Sequence, residues 1–215
     1  MSELVFKDYT ESIKKAIKIK IKYIYHLSDI HIHLYKRHQE YKEQFEKCYQ
    51  WLEKECVQSK KIQYHLIVIT GDLLHSKSDL SPECIQCCYQ FLKRLSEIMP
   101  VIIIPGNHDL NMNNKSRLDS ITPILADLCQ THQIYYLLDT GIYKFKNICF
   151  VHTSIFDYRI ITKDEIQELL SKKNITSVNQ LTYVGLFHGK INGCLLNNGL
   201  QCRGDIDTFR KKTIT

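Results

Sequence analysis

The sequence lacks the features that mark membrane and secreted proteins. No run of about 18 consecutive apolar residues occurs, so we expect no transmembrane helix. No apolar h-region follows Met1, so we expect no signal peptide and an intracellular protein with reduced thiols. Repeats, low-complexity tracts and linkers are also missing. We therefore predict one domain, residues 19–215, after an N-terminal extension, residues 1–18, in which Asp8–Lys15 forms a short helix.

A second zinc half-site is also missing, although the sequence contains nine cysteines. Cys84, Cys87 and Cys88 lie at positions i, i+3 and i+4, which is the spacing of one face of an amphipathic helix. No further Cys or His pair at zinc spacing accompanies them. The pattern favours core packing over metal binding.

Charge constrains the function only weakly. The formal net charge of +6 suits a phosphate-bearing partner but does not require one. The 44% of hydrophobic residues is typical of a globular protein with a full core. Composition alone therefore excludes a disordered chain and leaves the activity open.

Apolar runs that alternate with amphipathic segments predict an α/β domain with a mainly parallel central sheet. The runs His65–Thr70 and Val101–Ile104 are apolar on both faces, as buried parallel strands are. The other predicted strands are Ile17–Leu27, Ile134–Leu138, Ile148–His152 and Thr182–Phe187. The predicted helices are Tyr41–Ser59, Pro82–Ile98 with Ser81 as N-cap, Ile121–Cys129 and Lys163–Lys173.

Residues that can bind metal ions follow four of these strands. In chain order they are Ser28-Asp29-Ile30-His31, Gly71-Asp72-Leu73-Leu74-His75, Gly106-Asn107-His108-Asp109 and His188-Gly189. Each group alone is compatible with an ordinary turn or a structural histidine. Because ligands collect at the carboxyl ends of parallel strands, we expect the four groups to meet at one edge. Mixed nitrogen and oxygen ligands suit two Mn, Fe or Zn ions better than Ca or Mg.

This series of motifs resembles the calcineurin-like metallophosphoesterases, over about Tyr23 to Gly189. Four segments are similar to the SbcD-like DNA-repair nucleases, in the form carried by large DNA viruses. They are Leu27-Ser28-Asp29-Ile30-His31, Thr70-Gly71-Asp72, Ile104-Pro105-Gly106-Asn107-His108-Asp109 and Leu186-Phe187-His188-Gly189. The resemblance implies a two-sheet β-sandwich flanked by helices, an αββα arrangement.

The resemblance also implies two divalent metal ions, with Mn expected and Fe or Zn as alternatives. Asp29 and His31 would hold the first ion, and Asp72 would bridge the two ions. Asn107 and His188 would hold the second ion.

Three further residues receive catalytic roles from the resemblance. His108 would protonate the leaving oxygen, with Asp109 as the residue that orients its imidazole. His75 would lie near the substrate phosphate. The remaining histidines are His26, His33, His38, His65, His132 and His152. An exposed loop is expected for His33 and His38, with contact to the substrate as the alternative. The others are expected to be structural, with a position at the rim of the site as the alternative for His152.

The family's final Gly-x-His motif has no counterpart, because no histidine follows His188. Gly204-Asp205-Ile206-Asp207 is the nearest match, and we interpret it as a turn. The catalytic domain is therefore expected to be incomplete at its C-terminus, and its metal binding to be weakened.

The leading functional hypothesis is a Mn-dependent DNA exonuclease or endonuclease in double-strand-break repair or recombination. One alternative is a phosphatase or phosphodiesterase for small or protein substrates, and another is a catalytically impaired binding module. The expected partners are DNA, a coiled-coil ATPase of the SbcC type and a second copy of the chain, with no membrane.

Overall fold

The fold is known from a computed structural model that describes residues 4–12, 20–33, 37–59, 65–175, 180–195 and 198–206. The strands in these ranges are β1 Val5–Asp8, β2 Tyr23–Leu27, β3 His65–Thr70, β4 Val101–Ile104, β5 Ile134–Tyr136, β6 Gly141–Phe145, β7 Ile148–Thr153 and β8 Thr182–Phe187. The helices are α1 His38–Ser59, α2 Pro82–Ile98, α3 Thr122–Thr131 and α4 Lys163–Lys172. The chain divides into two compact units, one of Thr10–Leu138 and one of Met1–Tyr9 with Asp139–Thr215.

The unit Thr10–Leu138 is built on a four-stranded parallel sheet in the order β2-β3-β4-β5. Every residue of β3 and β4 is buried, which explains why these strands are apolar on both faces. Helices α1, α2 and α3 pack against this sheet and complete its hydrophobic core. The carboxyl ends of β2, β3 and β4 therefore lie side by side, each followed by one of the polar groups.

Helix α2 shows why the cysteine pattern is structural. Its N-cap is Ser81, whose side chain accepts a hydrogen bond from Cys84 N at 3.2 Å, and Pro82 occupies the first turn. Cys84, Cys87 and Cys88 are all buried in the core cluster of the sheet. Burial also raises the pKa of the Cys88 thiol, which keeps it neutral. The predicted core role of this face is confirmed.

The other unit contains a four-stranded mixed sheet in the order β1-β6-β7-β8. Strands β6 and β7 are antiparallel, while β1 pairs with β6 and β8 with β7 in parallel. Helix α4 begins with a capping box between Thr162 and Glu165 and buries Leu170 against this sheet. His188 follows β8 directly.

The predicted α/β class, with two sheets flanked by helices, is confirmed. Two local predictions near the N-terminus are wrong. Within the described residues, the expected helix Asp8–Lys15 is replaced by the end of β1 and a turn at 10–12. The expected strand Ile17–Leu27 is regular only from Tyr23, and residues 13–19 lie outside the described ranges. Within the described ranges, no helix is long and apolar enough to cross a bilayer.

Candidate active site

The loops that follow β2 and β3 run side by side beyond the ends of the strands. Asp29 N donates to Gly71 O at 3.2 Å, and His31 N donates to Asp72 O at 2.9 Å. The chain thus continues the pairing of the two strands through the predicted ligands. Asp29, His31 and Asp72 are placed by backbone hydrogen bonds before any ion binds.

The backbone at these ligands adopts a conformation that is uncommon outside glycine. Asp29, His31 and Asp72 have φ values of 53°, 48° and 52°, and Gly71 has a φ of 90°. A non-glycine residue in this left-handed region costs about 1–3 kcal/mol, and such residues concentrate at functional sites. Three residues in this conformation, each at a predicted ligand, indicate that the backbone of the two loops positions these side chains.

Two carboxylates approach one imidazole at this position. His31 Nε2 lies 3.5 Å from Asp72 Oδ2 and 3.9 Å from Asp29 Oδ1. The Asp72 side chain is 5% exposed and the Asp29 side chain 60% exposed, so the cluster opens to solvent on the Asp29 side. His31 Nδ1 is buried and has no hydrogen-bond partner among the described residues. Two carboxylates around one imidazole nitrogen, Nε2, form a donor set that fits a divalent metal ion.

The loop after β4 fixes the position of the Asp72 carboxylate. His108 N donates to Asp72 Oδ1 at 2.9 Å, which leaves Oδ2 directed toward His31. A Cβ atom at Gly106 would lie 2.1 Å from Asp72 Oδ1 and 2.3 Å from Asp72 N. Only glycine allows this close approach. The Gly-Asn-His-Asp motif thus shapes the site through its glycine as well as through its side chains.

Asp109 has a structural position that differs from its predicted role. Its fully buried carboxylate accepts hydrogen bonds from Gly106 N at 2.9 Å, Leu74 N at 3.0 Å and Leu73 N at 3.3 Å. Burial raises the pKa of Asp109 to about 6, although the three hydrogen bonds act in the opposite direction. This carboxylate joins the loops after β3 and β4. The prediction that it orients the His108 imidazole is corrected, because its described hydrogen bonds are all to backbone N–H groups.

The His108 imidazole is oriented by a carbonyl group instead. His108 Nδ1 lies 2.7 Å from the backbone oxygen of His75. A carbonyl oxygen only accepts, so Nδ1 carries a proton and donates it. Nε2 is therefore the nitrogen left for proton exchange with a substrate.

His108 belongs to a cluster of imidazoles. The ring centres of His31 and His108 are 4.8 Å apart, and that of His75 is 5.7 Å from both. One nitrogen from each of these three rings lies within 4.8 Å of the others. His33 adds a fourth ring, stacked on His75 at 3.9 Å. Burial, followed by the nearby His75, His31 and Arg37, lowers the pKa of His33.

Sequence reasoning favoured an exposed loop for His33 over contact with the substrate. The available signal was its position two residues after His31, in the loop that follows β2. Asn107 lies between Gly106 and His108, partly buried and in the same unit.

His188 follows β8 in the unit that contains residues 139–215. Nearby, Asp205 Oδ2 accepts a hydrogen bond from Lys190 N at 2.9 Å, and Asp205 N donates to Lys190 O at 2.8 Å. Asp205 thus holds the segment that follows His188 through hydrogen bonds to the Lys190 backbone. Asp207 lies outside the described residues.

Comparison with known proteins identifies a family and a relative. The model of a family described as calcineurin-like phosphoesterase matches residues 22–209. An uncharacterised protein of Acanthamoeba polyphaga mimivirus is 40% identical over 190 residues, which are 87% of this chain and 14% of the viral protein. The chain thus spans only a small part of that relative's length.

Proposed function

Since this chain belongs to the calcineurin-like phosphoesterase family, we propose that it is a manganese-dependent nuclease. It would cleave phosphodiester bonds in DNA. Family membership makes it a metal-dependent phosphoester hydrolase, of a family that normally binds two divalent ions. The observation that carries the proposal is the meeting of Asp29, His31 and Asp72 beside the His108 imidazole. The choice of DNA rests on the resemblance of the local motifs to SbcD-like nucleases.

The donor set assigns residues to the two ions. Asp29, His31 and Asp72 would hold the first ion, and their described geometry fits it. Asp72, Asn107 and His188 would hold the second ion, which stays a prediction from the motifs. When bound, two such ions neutralise phosphate charge and lower the pKa of a coordinated water.

The protein's own groups then act on the substrate. Asp72 is held by His108 N through Oδ1, so its position is linked to that of the His108 backbone. His108 Nδ1–H is held by the His75 carbonyl, which aims Nε2–H of the imidazolium at the leaving oxygen. A proton delivered there from a positioned side chain typically contributes about 10²–10⁴-fold to the rate. The adjacent rings of His33 and His75 would contact the same phosphate.

Three narrower statements belong to the same proposal. The chain would act in double-strand-break repair or recombination inside the cell, with a coiled-coil ATPase of the SbcC type and a second copy of itself as partners. The net charge of +6 supports a nucleic-acid substrate without requiring one. A phosphatase for small or protein substrates would use every residue named above, so the substrate has to be determined by experiment.

The test is hydrolysis by the metal-stripped protein after addition of Mn²⁺, with a linear DNA duplex, bis(p-nitrophenyl) phosphate and a phosphopeptide as substrates. We expect Mn²⁺-dependent cleavage of DNA. His108→Gln should lower turnover about 10²–10⁴-fold while Mn²⁺ binding, measured by calorimetry, changes little. Hydrolysis of the phosphopeptide alone would favour the phosphatase, and absence of Mn²⁺ binding would favour the binding module. Equal loss of Mn²⁺ binding and turnover in His108→Gln would show that His108 is a ligand.

A further inference from the structure

A surface cleft lies within the unit Thr10–Leu138. The segment after His75 and the segment after Asp109 form its walls, and the cleft encloses about 310 Å³ of open space, solvent at its mouth included. Its lining residues include Lys77, Leu110, Asn111, Arg117, Leu118 and Asp119. Lys77 is two residues from His75, and Asn111 is three residues from His108. Both walls of the cleft are thus continuous in the chain with the histidines that are proposed to face the scissile phosphate.

The lining of the cleft carries two cations, Lys77 and Arg117, and one carboxylate, Asp119, so the cations exceed the anions by one. Asp119 is buried, and its carboxylate accepts hydrogen bonds from Ile121 N at 2.9 Å, Thr122 N at 2.6 Å and Thr122 Oγ1 at 2.8 Å. These hydrogen bonds hold the Asp119 carboxylate at the start of α3. Lys77 and Arg117 are exposed, and neither forms an ion pair within the part of the chain that the structure describes. They leave the cleft with a positive surface suited to an anion.

The segment that carries Arg117 is ordered by its own hydrogen bonds. Asn113 N donates to Asn111 Oδ1 at 3.1 Å, and Asn114 N donates to Asn111 O at 3.1 Å. Arg117 N in turn donates to Asn114 O at 3.1 Å. These turns hold the backbone of Arg117 in place before a ligand arrives, which lowers the entropic cost of binding.

An apolar residue stands next to the two cations. Leu118 is 67% exposed, one of the most exposed large hydrophobic side chains of the described chain, whereas Leu110 is buried beneath the cleft. A cleft lined by cations and an exposed apolar side chain matches a nucleotide, in which a charged phosphate adjoins an apolar face of the nucleoside.

We propose that this cleft binds the phosphate next to the scissile one in a DNA strand, with Lys77 and Arg117 paired to that phosphate and Leu118 packed on the adjoining nucleoside. The proposal rests on the proposed nuclease function, which places a polynucleotide at His108. It adds a source of substrate selection, because a small phosphoester has no second phosphate to occupy the cleft.

The test measures binding, so that it does not depend on catalysis. The full chain is titrated in EDTA against a fluorescein-labelled single-stranded oligonucleotide, and anisotropy is followed over a series of salt concentrations. Loss of one phosphate contact should lower the slope of log affinity against log salt by about 0.7 for a single strand. The double variant Lys77→Gln/Arg117→Gln should show this change and bind on the order of 10-fold more weakly. Leu118→Ala should weaken binding with the slope unchanged.

The matched control is Lys47→Gln/Lys54→Gln, which removes the same charge from the exposed face of α1. It should keep the affinity and slope of the unmodified chain to within a small long-range effect. The proposal is overturned if the two double variants behave alike, or if the unmodified chain does not bind the oligonucleotide. Failure of the nuclease assignment would appear separately, as absence of Mn²⁺-dependent DNA cleavage while the binding difference persists.

Discussion

The loop after β3 and the loop after β4 each carry a buried aspartate, but the two carboxylates have different surroundings. Asp72 directs Oδ2 toward His31 while Oδ1 accepts from His108 N. Asp109 accepts from three backbone N–H groups, and burial raises its pKa to about 6. Burial is similar, so the hydrogen-bond donors distinguish the two: one carboxylate faces His31, where the proposed ion would bind, and the other holds two loops together.

The largest expected effect comes from removing the charge of Asp72. Asp72→Asn keeps an oxygen for the His108 N–H group but loses a ligand that is predicted to serve both ions. Mn²⁺ binding should weaken by more than about 100-fold, since changes to outer groups alone cost about 10–100-fold. Calorimetric titration with Mn²⁺ measures this, and DNA cleavage should be abolished in parallel. Asp79→Asn, at an exposed position of the same loop, is the control and should bind Mn²⁺ normally.

The corresponding change at Asp109 should act on stability instead. Asp109→Ala leaves the N–H groups of Leu73, Leu74 and Gly106 buried without their acceptor. Each such group costs about 1–3 kcal/mol, so the free energy of unfolding should fall by about 3–5 kcal/mol. Urea denaturation followed by circular dichroism gives this value. The comparison between the two aspartates would fail if Asp109→Ala lost Mn²⁺ binding but kept its stability.

A smaller effect is expected at the contact between the two loops. Gly106→Ala places a Cβ about where Asp72 Oδ1 and Asp72 N now lie, at 2.1 Å and 2.3 Å. The backbone has to shift, at a cost of about 1–3 kcal/mol in the free energy of unfolding. Mn²⁺ affinity should fall as well, because the shift moves Asp72. Gly185→Ala is the matched control: no atom lies within 4 Å of its Cβ position, and its stability should change by less than about 0.5 kcal/mol.

Much of this arrangement was predictable from the sequence. The apolar runs of β3 and β4 predicted a parallel sheet, because strands that are buried on both faces are typical of parallel sheets. The periodic face of α2 predicted the helix that packs against it. The three strand-end motifs of the unit Thr10–Leu138 also followed from the rule for parallel sheets. Strand β1 was missed, since its four residues pair with β6, more than 130 residues away, and carry no periodic signal of their own.

The role of Asp109 could not be predicted for a different reason. In the sequence it adjoins His108, which suggests a carboxylate–imidazole pair. The left-handed turn at Gly71 and Asp72 brings the N–H groups of Leu73 and Leu74 to this carboxylate, and that geometry is visible only in three dimensions. Sequence patterns predict which side chains lie close together in the fold. The backbone N–H groups around a carboxylate determine whether it can still bind a ligand.

An effect that depends on pH is expected at a third buried ionisable group, His152, which lies in the other unit and whose described hydrogen bonding is weak. Its Nδ1 lies 3.4 Å from Leu186 O, and Nε2 has no hydrogen-bond partner among the described residues. Burial lowers the pKa of His152 from 6.5 to about 4, while Leu186 O, Asp157 and Asp139 act in the opposite direction.

Because the folded state resists protonation of His152, the unfolded state binds the proton first as the pH falls. The contribution of neutral His152 to the free energy of unfolding is fully present above pH 6.5. It is lost between pH 6.5 and about 4, by up to about 3 kcal/mol. His152→Gln removes this titration. Urea denaturation at a series of pH values should therefore show a smaller loss of stability in the variant over that window. Above pH 7 the difference between the two proteins should be constant. If the free energies of unfolding of the two proteins changed in parallel over the whole pH range, His152 would have gained a partner for Nε2 on protonation. Burial would then not determine the pKa of His152.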